Sequence, residues 1–161
     1  TLYCARSGGA ASSLYKEKFS GLEKRTYDRV VTERTVKCFH FSRWIEESFS
    51  PEDYIVLYMD VELSEFAILN DMISRGTMKY IDELLVEFHR YDKIRHRRQR
   101  WLFPKEFGLE IKEQHNKIIN FLDKNFPEKE SPRPNKHSHR EGEWYFKRQK
   151  NENLGREKSA L

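Results

Sequence analysis

YIVLYMDVELSEFAILNDMISRGTMKYIDELLVEFH, residues 54–89, holds two short apolar runs with a helical repeat between them. The first run, Tyr54 to Met59, is rich in β-branched and aromatic residues and predicts a strand buried on both faces of a parallel sheet. It stops at Asp60. After the acids Asp60, Glu62 and Glu65, apolar residues fall at Phe66, Leu69 and Ile73, with Ile68 and Met72 beside them, which is the spacing of one helical face. Gly76 follows the last of them. A glycine there takes the left-handed conformation that closes a helix, so the pattern predicts a helix over residues 64–75. Ile81, Leu84, Leu85, Val86 and Phe88 predict a second strand, interrupted by Glu87 and followed by His89. Strand, helix and strand at this separation make a right-handed crossover unit with its two strands parallel and adjacent.

Ligands of an open parallel sheet bind outside the carboxyl ends of its strands. Those ends carry Asp60 and Glu62 on one strand and Glu87 and His89 on the next, and these four are the candidate site. Asp60 follows directly on an apolar run, where a charge needs a partner or a ligand. Glu62 and Glu65 also suit an acidic first helical turn, which the helix dipole favours, and for Glu65 that plainer account is the better one. Glu87 and His89 are two apart, so alternation sends both side chains to one side. An ion pair or a hydrogen-bonded histidine closing the strand accounts for them equally well.

The combination of an aliphatic run, Asp60-Val61-Glu62, Glu65-Phe66, a helix ending in Gly76, and Glu87-Phe88-His89 resembles the FkbM-type methyltransferases, which use S-adenosylmethionine. The family pattern is Asp-Ile-Glu-Gly-x-Glu, followed after the next strand by Glu-Trp-His or Glu-Phe-His. Leu63 stands where the family has its glycine. The resemblance covers residues 12–123 loosely and 35–91 well. It implies an α/β, Rossmann-like class I methyltransferase sheet, with S-adenosylmethionine as cofactor and a small-molecule or glycan hydroxyl as the methyl acceptor. It places Asp60 first for substrate or proton contact, with Glu62, Glu87 and His89 lining the same rim. No metal is assigned, although Mg²⁺ held by these carboxylates is a lesser alternative, because hard oxygen ligands suit it.

A cofactor site of this kind needs a glycine-rich turn after the first strand and an acid after the second. Neither is evident. Gly8-Gly9 follows a weak strand, residues 2–6, and precedes no helix. The expectation is therefore that the chain is the C-terminal half of the domain, with the N-terminal cofactor-binding strands missing, and that it is inactive or barely active alone. The alternative is a non-catalytic α/β interaction or anion-binding module derived from the same fold, which Leu63 and the missing turn favour.

The remaining segments frame this core. Residues 1–127 are expected to form the half domain, and residues 128–161 a loop, one late strand at about 142–149 carrying Trp144, Tyr145 and Phe146, and a polar tail. Residues 16–34 read as a charged surface segment, and residues 35–41 alternate as a strand. Ser42 stands at an N-cap position before a short helix with Trp44 and Ile45. Ile111, His115, Ile118, Ile119, Leu122 and Phe126 lie at helical spacing and should cover one face of the sheet, with Pro127 ending that helix.

Lys and Arg total 30 against 26 acids, so the net charge of +4 attracts polyanions only weakly. The basic run at residues 95–100 is accordingly read as a solvated connection with no specific nucleic-acid partner. His137 and His139 are read as loop residues and not metal ligands. Cys4 and Cys38 are too few for a metal site or a disulfide framework, which leaves one bridge open. No apolar run approaches the length of a membrane span.

Overall fold

The computed structural model describes residues 1–5, 12–19, 31–89, 105–130 and 143–148. In chain order the elements are β1 (Leu2–Ala5), β2 (Val31–Arg34), α1 (Phe41–Ser48), β3 (Val56–Met59), α2 (Ser64–Arg75), β4 (Glu83–Glu87), α3 (Lys105–Asn125), β5 (Glu128–Glu130) and β6 (Glu143–Lys147). Short 3-10 turns lie at Lys16–Phe19 and Thr77–Tyr80. Gly8-Gly9, the basic run at 95–100, His137, His139 and the tail lie outside the described residues.

The fold is mixed α/β. Its main sheet has the order β3-β4-β6-β5, and a separate antiparallel pair joins β1 to β2. β3 and β4 are parallel neighbours, with Val56 opposite Glu83 and Met59 opposite Val86. β6 runs antiparallel to both of its neighbours, β4 and β5. The parallel pair and the helix between them therefore form as the spacing predicts, with α2 at Ser64–Arg75 and Gly76 closing it at φ 74°.

On α2, Phe66, Leu69 and Met72 face inward and are fully buried. They share a core with Leu84 and Val86 of β4, Ile111, Ile118 and Leu122 of α3, and Phe146 of β6. Each such side chain contributes roughly 1.5–3 kcal/mol on full burial. Asn70 of α2 donates to Gln114 of α3 at 3.1 Å, which ties the two helices together. The buried carboxylate of Asp82 accepts the amide of Ile55 at 2.8 Å and so pins the start of β3 to the start of β4.

Several expectations are corrected. β3 is not buried on both faces: Met59 is buried, but Val56 is 53% exposed and Tyr58 55% exposed, because among the described residues β3 is the edge of its sheet and has β4 as its neighbour. The strand expected at 35–41 falls earlier, at Val31–Arg34, paired with β1, and residues 35–40 are irregular and exposed. The cap of α1 is His40, whose ring accepts from the Arg43 amide, and not Ser42, which lies inside the helix and donates to Asp71 at 2.5 Å. Phe19 and Val31 are buried, so the charged segment at 16–34 contributes to packing. Residues 128–130 are strand rather than loop, since they pair with β6. Cys4 and Cys38 are both free.

Candidate functional site

β3 and β4 end at the same level, because Met59 and Val86 are register partners. Asp60 follows one strand, and Glu87 and His89 end the other. Between β3 and α2 the chain turns through Val61-Glu62-Leu63-Ser64, with the Ser64 amide bonded to the Val61 carbonyl at 3.1 Å. Both central residues have positive φ, 51° at Glu62 and 85° at Leu63. Two such residues in succession are the pattern of a type I′ turn, which glycine, asparagine and aspartate normally occupy. The Leu63 side chain is nevertheless fully buried. From the β1 side, the buried Ser13 hydroxyl donates to the Glu62 carbonyl at 2.6 Å and holds the turn from outside.

This turn brings three carboxylates around one imidazole. His89 Nε2 lies 3.2 Å from Glu62 Oε2 and 3.6 Å from Asp60 Oδ1. On the other side of the ring, Nδ1 lies 3.2 Å from Glu65 Oε1, and that same oxygen accepts the His89 amide at 2.8 Å. Nδ1 is engaged by the Glu65 carboxyl, which leaves Nε2 facing Asp60 and Glu62. Glu65 is fully buried, and its second oxygen has no hydrogen-bond partner among the described residues.

Burial alone would pull the His89 imidazole below its ordinary 6.5. The hydrogen bond and charge of Glu65, followed by the charges of Glu62 and Glu87, outweigh burial and raise it. Tyr15 stands in the same field. Its phenol is pushed up first by its own burial and then by Glu65, Glu110 and Glu17.

Asp60, Glu62 and His89 are thus brought together. Glu87 acts on His89 through its charge, and its atoms are not among those that close on the ring as a ligand set. The side chain of Asp60 is 41% exposed, so the buried acid of the site is Glu65 and not the residue that ends the strand. Glu65 does occupy the first turn of α2, as the dipole account has it, but it also lies on that helix's buried face. Its spacing of four and seven from Leu69 and Met72 is the signal that marks this position. Ser13 and Tyr15 carried no comparable signal, because their contacts to the site cross about fifty residues of sequence.

Phe66 and Phe88, the chain neighbours of Glu65 and His89, pack with their rings 5.7 Å apart, and His115 of α3 meets Phe88 edge-on at 4.8 Å. Chemically, the arrangement can exchange a proton at Asp60 or Glu62, or share a cation among the three groups. Among the described residues, no helix is long and apolar enough to cross a membrane. No protein-family model, curated protein or solved structure matches the chain.

Proposed function

We propose that the chain carries the acceptor-side half of an S-adenosylmethionine-dependent methyltransferase, acting on a hydroxyl oxygen of a small molecule or glycan. The observation that carries this reading is the cluster of Asp60, Glu62 and His89 outside the carboxyl ends of two adjacent parallel strands, the position at which open sheets of this kind bind their ligands. The order β3-β4-β6-β5, with β6 antiparallel between β4 and β5, is compatible with a mixed sheet built on a parallel pair. The exposed edge and face of β3 are where the remaining strands of such a sheet would add.

The described residues include no glycine-rich strand, turn and helix to take the cofactor's carboxylate and ribose, so they do not fit the cofactor, and no step is assigned to it. Their own part concerns the acceptor. Asp60 is the most exposed of the three groups and the one a hydroxyl can reach. In the reading proposed, its carboxylate takes the hydroxyl proton, while Glu65 fixes the His89 ring and His89 holds Asp60 and Glu62 in place. A positioned base of this kind is worth about 10²- to 10⁴-fold in rate.

The test is methyl transfer from labelled S-adenosylmethionine to hydroxyl acceptors by the full-length gene product, beside its Asp60→Asn variant. The variant should lose at least about a hundredfold in turnover with an unchanged melting temperature. Unchanged turnover would remove Asp60 from the chemistry. A full-length product that neither transfers methyl groups nor is stabilised by S-adenosylmethionine would leave the non-catalytic interaction module as the account of the fold.

A further inference from the structure

We infer that Asp60, Glu62 and His89 form a binding site for one divalent first-row transition ion, of the Mn²⁺ to Zn²⁺ type, with Glu65 as the outer carboxylate that orients the histidine. The inference rests on the geometry of the cluster and stands apart from the methyl-transfer reading. One ligand atom from each of the three residues lies within 4.8 Å of the others. The two separations to His89 Nε2, 3.2 and 3.6 Å, are close to the roughly 3–3.5 Å between neighbouring ligands of an ion bonded at about 2.1 Å. The third pair, Asp60 and Glu62, lies within 4.8 Å, and the Asp60 side chain is 41% exposed.

Acids near a helix start are common, and three facing groups would not by themselves make a site. The independent observation is Glu65. It is fully buried, it holds Nδ1 and the amide of His89 with one oxygen, and its other oxygen has no partner among the described residues. Metal-binding histidines are held in the same way, with one ring nitrogen on a carboxylate and the other turned to the ion. A buried carboxylate with an unsatisfied oxygen is costly unless positive charge stands close to it. Three carboxyl groups close on the His89 ring, Asp60 and Glu62 at Nε2 and Glu65 at Nδ1. A divalent ion at Nε2 places positive charge among these groups.

The ligand chemistry narrows the ion. Ca²⁺ takes six to eight oxygens and Mg²⁺ prefers oxygen and water, whereas one imidazole with two carboxylates suits Mn²⁺, Fe²⁺, Co²⁺ or Zn²⁺. Three protein ligands also leave a position open, and the exposed side of Asp60 lets a water or a hydroxyl reach it.

The test is binding and not turnover, so its failure is distinct from a failure of the methyl-transfer reading. The 161-residue chain is titrated with Mn²⁺ and the free-ion resonance is followed, then with Co²⁺ and its visible absorption is followed. Saturable uptake of one ion per chain is expected, undisturbed by excess Mg²⁺. Asp60→Asn and His89→Ala should each weaken it at least tenfold, and Glu65→Gln, which keeps all three ligands, by about 10- to 100-fold. Asp60 is exposed, so its variant should melt as the wild type does even if the buried Glu65→Gln variant does not fold. His137→Ala with His139→Ala should leave the affinity unchanged. The inference is overturned by an absence of saturable uptake in the wild-type chain, by displacement with Mg²⁺ at equal concentration, by uptake that survives in Asp60→Asn and His89→Ala, or by uptake lost with His137 and His139.

Discussion

Leu63 stores strain beside the candidate site and offsets it with burial. A left-handed conformation costs an L-residue about 1–2 kcal/mol, and the fully buried leucine side chain returns about 1.5–3 kcal/mol. Leu63→Ala keeps the strain and loses the packing, and should destabilise by about 2–5 kcal/mol. Leu63→Gly loses the same packing but releases the strain. It should therefore be the more stable of the two variants by about 1 kcal/mol in urea denaturation, the reverse of the usual order of alanine over glycine. A glycine variant less stable than the alanine variant would show that the turn is not strained. Asp71 offers a second test. Its carboxyl is held below the ordinary 3.8 by the Ser42 hydroxyl, against some opposing burial, and then by Arg75 and His40. A folded value below the unfolded one gives stability that is present above about pH 4 and lost as pH falls through the folded value. The stability difference between wild type and Asp71→Asn should accordingly shrink below pH 4 in denaturation curves taken across pH. At this scale the site was legible where it lay within one motif. Asp60, Glu62 and His89 could be placed at adjacent strand ends from spacing alone, whereas Ser13 reaches Glu62 only through the fold. The burial of Glu65 was also readable, but an acid in a first helical turn has an ordinary explanation that hid it.

The two ends of α2 differ in what limits them. At the C-terminus Gly76 has φ 74°, and a Cβ built there would meet nothing within 4 Å. Gly76→Ala should therefore cost only the backbone term, about 1–2 kcal/mol by thermal or urea melts, and Gly76→Asn distinctly less. A larger loss would mean that the space beyond the helix is occupied. Helix α2 was readable because its apolar spacing and its glycine stop agree, and both are local. The errors elsewhere have a common physical source in partners distant along the chain. Residues 35–41 alternate as a strand does, yet β2 forms four residues earlier because Val31–Arg34 pairs with Leu2–Ala5. Ser42 looked like a cap, but its hydroxyl is taken by Asp71, twenty-nine residues away, which locks α1 onto α2. β5 has no apolar residue to announce it. It forms because β6 offers Lys129 and its neighbours a ladder to complete.

Among the described residues the main sheet is asymmetric about its parallel pair. On one side of β4, β6 and β5 continue the sheet, and α2 and α3 bury Leu84, Val86 and Phe146. On the other side β3 ends the sheet among the described residues, with Tyr54, Val56 and Tyr58 more than half exposed. The apolar run at 54–59 was read as buried on both faces because its composition is that of an interior strand. The composition fits a strand that is covered in a larger sheet, and the edge of a sheet is itself a template for pairing. This contrast yields a test of the proposed architecture that needs no substrate. Val56→Thr keeps the shape and the β-branching of the side chain and replaces a methyl group by a hydroxyl. In the 161-residue chain, where Val56 is 53% exposed, the change should stay within about 0.5 kcal/mol in urea denaturation. In the full-length gene product, if further strands and a helix cover this face, the same hydroxyl is buried without a partner and should cost about 1–3 kcal/mol. Equal small effects in both proteins would mean that β3 stays an open edge, and would remove the main physical reason for placing a cofactor-binding half against it.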